Sequence, residues 1–295
     1  ILSIVFLCFG GGIKSLAVAG GIASIITSIM YIRACKKVAP YLTFNPFLFN
    51  LKTIKEIWGF SSYGAIGNML AIAQFQSDKL IISYFLGVKS LALYDVANRL
   101  VFFVFGLCGS LFTPIMPAIA HANAKYGLEK SEEVFQTIFK YTSLIICPLF
   151  LFVSVFADKL ILVWLGSGYE SAIPVLRLLS IAYLILMLSG PGASILTGMG
   201  IYKMPFYGGV ITAITTILLC SVFTVKFNIF GCAVGIMIAY LIGVVYLFVQ
   251  LRKVFKTISI PSILQKSLIF PVVTVVILFP LSLIRKITPP SPPPN

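Results

Sequence analysis

Apolar runs of twenty residues or more, with no alternation of polar and apolar positions, recur along this sequence. That feature fixes the class of fold before any single residue is considered. In hydrocarbon, every backbone N–H and C=O must be paired within its own segment or in a closed barrel. A long run without a period of two is therefore a helix, and about 20 residues of helix cross a bilayer. Composition points the same way. Of 295 residues, 59% are hydrophobic and only 10% charged, with a mean hydropathy of +1.06, whereas a soluble domain carries about 25% charged residues. The expected fold is all-α: a polytopic helix bundle in the cytoplasmic membrane, with membrane lipids as its immediate partners.

Charged, glycine and proline breaks divide the runs into eight spans, 13–32, 57–86, 91–120, 139–165, 172–197, 205–225, 229–251 and 263–284. The chain opens at Ile1 inside an apolar run, without a basic start or a small-residue cleavage site, so residues 1–9 read as the tail of a helix begun upstream. Connections alternate in charge. Thirteen bases, Arg33, Lys36, Lys37, Lys52, Lys55, Lys125, Lys130, Lys140, Lys203, Arg252, Lys253, Lys256 and Lys266, fall on one side. Six, Lys14, Lys89, Lys159, Lys226, Arg285 and Lys286, fall on the other. The positive-inside rule assigns the first set to the cytoplasm. Residues 41–56, aromatic and too short to cross, read as an interfacial linker.

Residues 1–38 laid on 217–254 share ten identities, among them Ile13 with Ile229, Ala17 with Ala233, Ala23 with Ala239 and Lys37 with Lys253. Both stretches read as helix end, tight turn, helix, basic cluster. Six spans separate them, so the two copies run in the same direction. Parallel repeats of this kind belong to transporters whose pathway lies between two lobes. One repeat period traced back from the linker leaves roughly 160 residues of a first lobe upstream of Ile1.

Asp78, Lys79 and Arg99 are the charges deepest in apolar surroundings. A turn at residues 87–90 puts Asp78 and Arg99 each roughly 12–14 Å from it along a helix, near the bilayer midplane. A charge facing lipid there costs about 2.5–3.5 kcal/mol, so these side chains are expected to face protein or a watery cavity. Gln74 with Asp78, and Asp95 with Arg99, stand four apart, and Asp before Arg is the favourable order for a pair on one helix. Arg99 and Lys79 suit a pyrophosphate, as a two-pronged donor and a point charge. Asp78 suits a proton or a coupling ion. The competing structural role is a buried Asp78–Arg99 ion pair that only ties two helices together. Asn98 and Gln76 suit interhelical hydrogen bonds, and Arg177 near an outer end suits snorkelling. Gly190-Pro191-Gly192, inside one span, predicts a kink, either as packing or as a hinge for alternating access. Pro114 and Pro117 carry the same two readings.

Other functions lack their residues. HExxH, GxSxG and P-loop motifs are missing, so no cofactor, no metal and no enzyme activity is expected. His121 is the only histidine, and Cys8, Cys35, Cys108, Cys147, Cys220 and Cys232 form no CxxC pair, reading as small hydrophobes. The net charge of +14 sits in connections between apolar runs, where topology and lipid head groups account for it. No basic stretch is long enough to track a phosphate backbone, so nucleic acid is not an expected partner.

The stretch 77–87, SDKLIISYFLG, continuing through Tyr94-Asp95-Val96-Ala97-Asn98-Arg99-Leu100, resembles the Wzx-type polysaccharide or O-antigen flippases of the MATE-like superfamily. A second matching stretch comprises Trp164-Leu165-Gly166, Tyr169, residues 174–179, Gly190-Pro191-Gly192 and Gly198-Met199-Gly200. The resemblance implies a MATE-like transporter of two six-helix lobes that moves polyprenyl-pyrophosphate-linked oligosaccharide to the outer leaflet. On that reading residues 1–38 end the first lobe and 39–56 link the lobes. Residues 57–254 form the complete second lobe, 255–288 an additional transmembrane helix, and 289–295 a proline-rich tail. The alternatives are a cation-coupled multidrug antiporter of the same superfamily, and a membrane glycan polymerase or glycosyltransferase. Very short outer loops weigh against the enzymes.

Overall fold

The computed structural model describes residues 12–40 and 51–255. Seven α-helices follow one another: α1 (Gly12–Val38), α2 (Leu51–Gly109), α3 (Ile115–Val155), α4 (Ala157–Leu165), α5 (Ile173–Leu188), α6 (Gly190–Gly198) and α7 (Lys203–Val254). Short 3-10 turns at Ser110–Phe112 and Glu170–Ala172 complete them, and no strand occurs among the described residues. Among the described residues five helical stretches are long and apolar enough to cross a membrane, including Val18–Val38, Ser62–His121 and Lys203–Val254. This is a multi-pass membrane protein, and its exposed apolar side chains fit that surrounding. Leu80, Tyr84, Val88 and Val163 all lie on the outside. The chain divides into two compact units, Ile1–Trp58 and Gly59–Asn295.

Straight helices of this length are impossible in a bilayer. The 52 residues of α7 laid end to end reach ~78 Å, against a hydrocarbon core of ~30 Å. Each long helix therefore folds back on itself, and the turn residues are legible in the backbone. Positive φ occurs at Gly87, Gly127, Gly166, Gly168, Gly200 and Asn228, all between helical arms. At Gly87 (φ 79°, ψ 173°) α2 reverses, a backbone state that glycine reaches without steric cost. Its two arms touch across the turn through Tyr94 with Asp78 and Lys79 with Asp95. At Gly127 α3 reverses, bringing Ile115 and Ile119 into one cluster with Phe135 and Phe139.

The α7 hairpin turns at Phe227 and Asn228 and closes on two facing rows of small residues. Gly208, Thr212, Thr216, Cys220 and Thr224 are buried on one arm; Gly231, Gly235, Ala239 and Gly243 are buried on the other. A Cβ at Gly235 would stand 2.9 Å from the Leu219 carbonyl carbon. Between helices in lipid no hydrophobic drive remains, so close backbone approach over small residues supplies the attraction through dispersion. Offset by 216 in sequence, the last residue of α1, Val38, aligns with the last residue of α7, Val254. The α1 sequence carries Ser15, Ala19, Ala23 and Thr27 at the positions of that small row. The repeat thus extends to a shared C-terminal helix boundary and to small residues at equivalent sequence positions.

Several boundaries differ from the hydropathy reading. The α2 helix opens at Leu51 rather than at residue 57, within the stretch read as linker, because Lys52, Lys55 and Glu56 mask an otherwise helical segment. The span 139–165 is interrupted at Phe156 and the span 172–197 at Ser189. Residues 1–9, 41–50, 263–284 and 289–295, on which the stub, most of the linker, the additional helix and the tail were read, lie outside the described residues. Within 59–255 two apolar clusters form the core. One gathers Ile82, Tyr94, Ile161, Val175, Tyr183, Cys220 and Cys232. The other gathers Ile119, Phe139, Ile195, Leu247 and Phe255.

Candidate functional site

Polar residues collect where the two arms of α2 meet α5 and the second arm of α7. The Gly87 turn sets their register. The helix resumes at Val88, and across the turn Asp78 meets Tyr94 while Lys79 meets Asp95. The expectation of a four-residue turn at 87–90 placed Arg99 opposite Asp78, and the tighter reversal corrects it. No Asp78–Arg99 ion pair forms. Asp78 is instead buried at 2% exposure, accepting from the Tyr94 hydroxyl and from the Lys79 backbone N–H at 2.8 Å. Among the described residues no cation stands within ion-pair distance of it.

Around Asp78 lies a closed polar knot. The Tyr183 hydroxyl donates to Asn98 Oδ1 at 3.2 Å. Tyr240 stands beside Tyr183, its ring edge-on with centroids 5.6 Å apart. Gln74, Asn98, Tyr94, Tyr183 and Tyr240 are all buried. Edge-to-face rings from Phe75 and Phe105 wrap the outside of Tyr183 and Phe102. The three tyrosines were not among the residues singled out from sequence. A signal existed: the pentapeptide Ile-Ala-Tyr-Leu-Ile occurs at 181–185 and again at 238–242, and a hydroxyl inside an apolar helix needs a partner.

Beside this knot the remaining charges stand in a more open setting. Asp95 is shared by two cations, with Lys79 Nζ 2.9 Å from Oδ1 and Arg99 Nε donating to Oδ2 at 2.7 Å. The side chains of Lys79 and Asp95 are 31% and 20% exposed, and that of Arg99 is 72% exposed. A cavity of about 280 Å³ opens here, lined by Lys79, Arg99, Asn98 and Gln76 and by the rings of Phe75, Phe102 and Phe103. Asn98 belongs to both groups. Cationic donors, amides and aromatic faces in one recess suit an amphiphile with an anionic head. Among the described residues no cluster of three metal-ligating side chains occurs.

The Gly190-Pro191-Gly192 element lies away from this cavity in the second cluster's surroundings. The helix breaks at Ser189, and Pro191 sits in the first turn of α6, where its missing N–H leaves no bond unmade. A Cβ at Gly192 would stand 2.6 Å from Leu251 Cδ1, and one at Gly190 would collide with the Phe112 ring. The kink is present, and both glycines lie at close helix contacts. Arg177 reaches Asp158 at 4.0 Å on the exposed outer end.

The family model described as polysaccharide biosynthesis protein matches residues 1–174. An uncharacterised membrane protein of Methanocaldococcus jannaschii is 26% identical over 220 residues, 70% of this chain and 41% of that protein. The succinoglycan biosynthesis transport protein ExoT of Rhizobium meliloti is 26% identical over 222 residues, 73% of this chain and 42% of that protein. The chain therefore spans less than half the length of these curated relatives. Among solved structures, the lipid II flippase MurJ in an inward closed conformation superposes with a TM-score of 0.68 at 19% identity, over 94% of this chain and 59% of that one. An outward-facing multidrug resistance MATE family transporter of the MOP superfamily gives 0.67 at 17% identity, over 87% and 60%. The fold is MATE-like.

Proposed function

This chain belongs to the polysaccharide biosynthesis protein family, and from that premise we propose that it carries a polyprenyl-pyrophosphate-linked oligosaccharide across the cytoplasmic membrane for surface polysaccharide assembly. The observation that carries the reading is the cavity itself. Two cations on opposite arms of one hairpin meet exposed aromatic rings, Phe102 and Phe103, in a single recess. That pairing matches a ligand whose charged diphosphate joins an apolar chain. At about 280 Å³ the recess is at the small end of ligand pockets, ~300–1,000 Å³, a fit to the head group and not to an oligosaccharide.

Transport without bond-making asks only for differential affinity and a moving part. The break ahead of Pro191 supplies a bending point in this reading. Asp78, buried with no ion-pair partner among the described residues, is the group on which a coupling proton or sodium ion would act. A cation-coupled drug antiporter is favoured by that same carboxyl and opposed by Lys79 and Arg99 at the cavity wall. Arg99→Ala is expected to abolish surface polysaccharide in cells at unchanged protein level. Normal polysaccharide in that variant removes Arg99 from the site, and uptake of a lipophilic cation by vesicles returns the antiporter to first place.

A further inference from the structure

Asp95 is the member of the cavity group to which the transport reading gives no task. Its two carboxylate oxygens are divided between cations from opposite arms of the α2 hairpin, at 2.9 Å from Lys79 Nζ and 2.7 Å from Arg99 Nε. The bond to Arg99 uses Nε, so its terminal guanidinium nitrogens have no partner among the described residues. Lys79 has three N–H donors, and Asp95 occupies one side of the ammonium. Both cations line the cavity, while Asp95 does not. The carboxylate thus sits behind its two cations, and an anion entering the cavity meets two positive charges already offset by one negative.

We infer that Asp95 restrains affinity: a fixed internal anion that holds Lys79 and Arg99 together as a two-pronged receptor for a lipid-linked diphosphate while weakening their grip on it. The inference rests on the reading of the cavity as a diphosphate receptor. Near a protein surface a unit charge a few ångströms away changes an interaction by kilocalories, so deleting this carboxylate strengthens binding more than the loss of one clamp weakens it. A carrier that binds too tightly is limited by release. Asp95 therefore trades affinity for turnover.

The test is isothermal titration of the full-length protein in detergent micelles with farnesyl diphosphate, inorganic diphosphate and farnesol. Asp95→Asn keeps size and one acceptor but loses the charge. Its Kd for farnesyl diphosphate is expected to fall about tenfold or more, and inorganic diphosphate is expected to show the same shift. Asp95→Glu, which keeps the charge, is expected to stay within about threefold of the wild type. Asp95→Ser, also neutral, is judged by the same sign should the Asn variant not be recovered folded. Binding by the neutral variants that equals or falls below the wild type overturns the restraint and leaves the diphosphate receptor standing. A shift confined to the farnesyl ligand likewise overturns a restraint that acts through charge. A wild type that binds farnesyl diphosphate no better than farnesol removes the receptor, and with it the restraint.

Discussion

Two aspartates on one hairpin meet opposite surroundings, and the contrast follows from register alone. Asp78 points into the tyrosine knot and is held by one hydroxyl and one amide; Asp95 points between two cations beside an opening. A buried acceptor that loses its donor is costly. Tyr94→Phe is therefore expected to lower stability by about 1–3 kcal/mol, measured as a fall in the unfolding midpoint in detergent; an unchanged midpoint contradicts the role given to this hydroxyl. Asp78, Lys79, Asp95 and Arg99 could be singled out from sequence because charges in apolar runs demand an explanation. Their pairing was not, because one residue more or less in a turn changes which side chains meet. Gln74 was read as part of a polar stripe with Asp78, and Asn98 as an interhelical hydrogen-bonder. The Asn98 partner Tyr183 comes from another helix, at a separation that no helical period reveals.

Helices here are held by shape more than by polar contacts, and α7 shows it most clearly. Gly235→Ala places a Cβ against the Leu219 and Cys220 backbone, which cannot swing aside as a side chain would. The expected cost is about 1–3 kcal/mol. Gly209→Ala, on the same helix with nothing within 4 Å of the added atom, is expected to be neutral or to gain up to about 1 kcal/mol from helix propensity. Equal midpoints for the two variants would contradict the close-packed hairpin. The kink at Ser189 belongs to the same scale. Pro191→Ala restores an N–H that can close the helix across the break. A hinge predicts reduced polysaccharide export with an unchanged midpoint, whereas a lower midpoint with normal export assigns the element to packing. Apolar run length and the charged or glycine breaks between runs revealed these helices and most of their turns. They did not reveal the breaks at Phe156 and Ser189, since hydropathy does not change across them.

At the level of the whole molecule, every turn with a left-handed residue falls at one of two ends, and the bases sort with them. Lys125 and Lys203 lie near the Gly127 and Gly200 turns, while Lys89 and Lys226 lie near the Gly87 and Asn228 turns. With Cys35 replaced, cysteines at 89 and 226 are expected to react with a membrane-impermeant maleimide added outside intact cells, and a cysteine at 203 only after permeabilisation. The reverse pattern would invert the assigned orientation. Class of fold and multi-pass character could both be argued from apolar runs, because the bilayer imposes them on any sequence. What is carried could not, because a cavity is made by side chains from arms that only folding brings together. The most direct test of the account is flipping of a fluorescent polyprenyl-diphosphate saccharide by the full-length protein in liposomes, followed by quenching of the outer leaflet. Wild-type protein is expected to expose inner-leaflet lipid to the quencher, and the Lys79→Ala, Arg99→Ala double variant to leave it protected. Equal flipping by both would contradict a transport pathway built on these two cations.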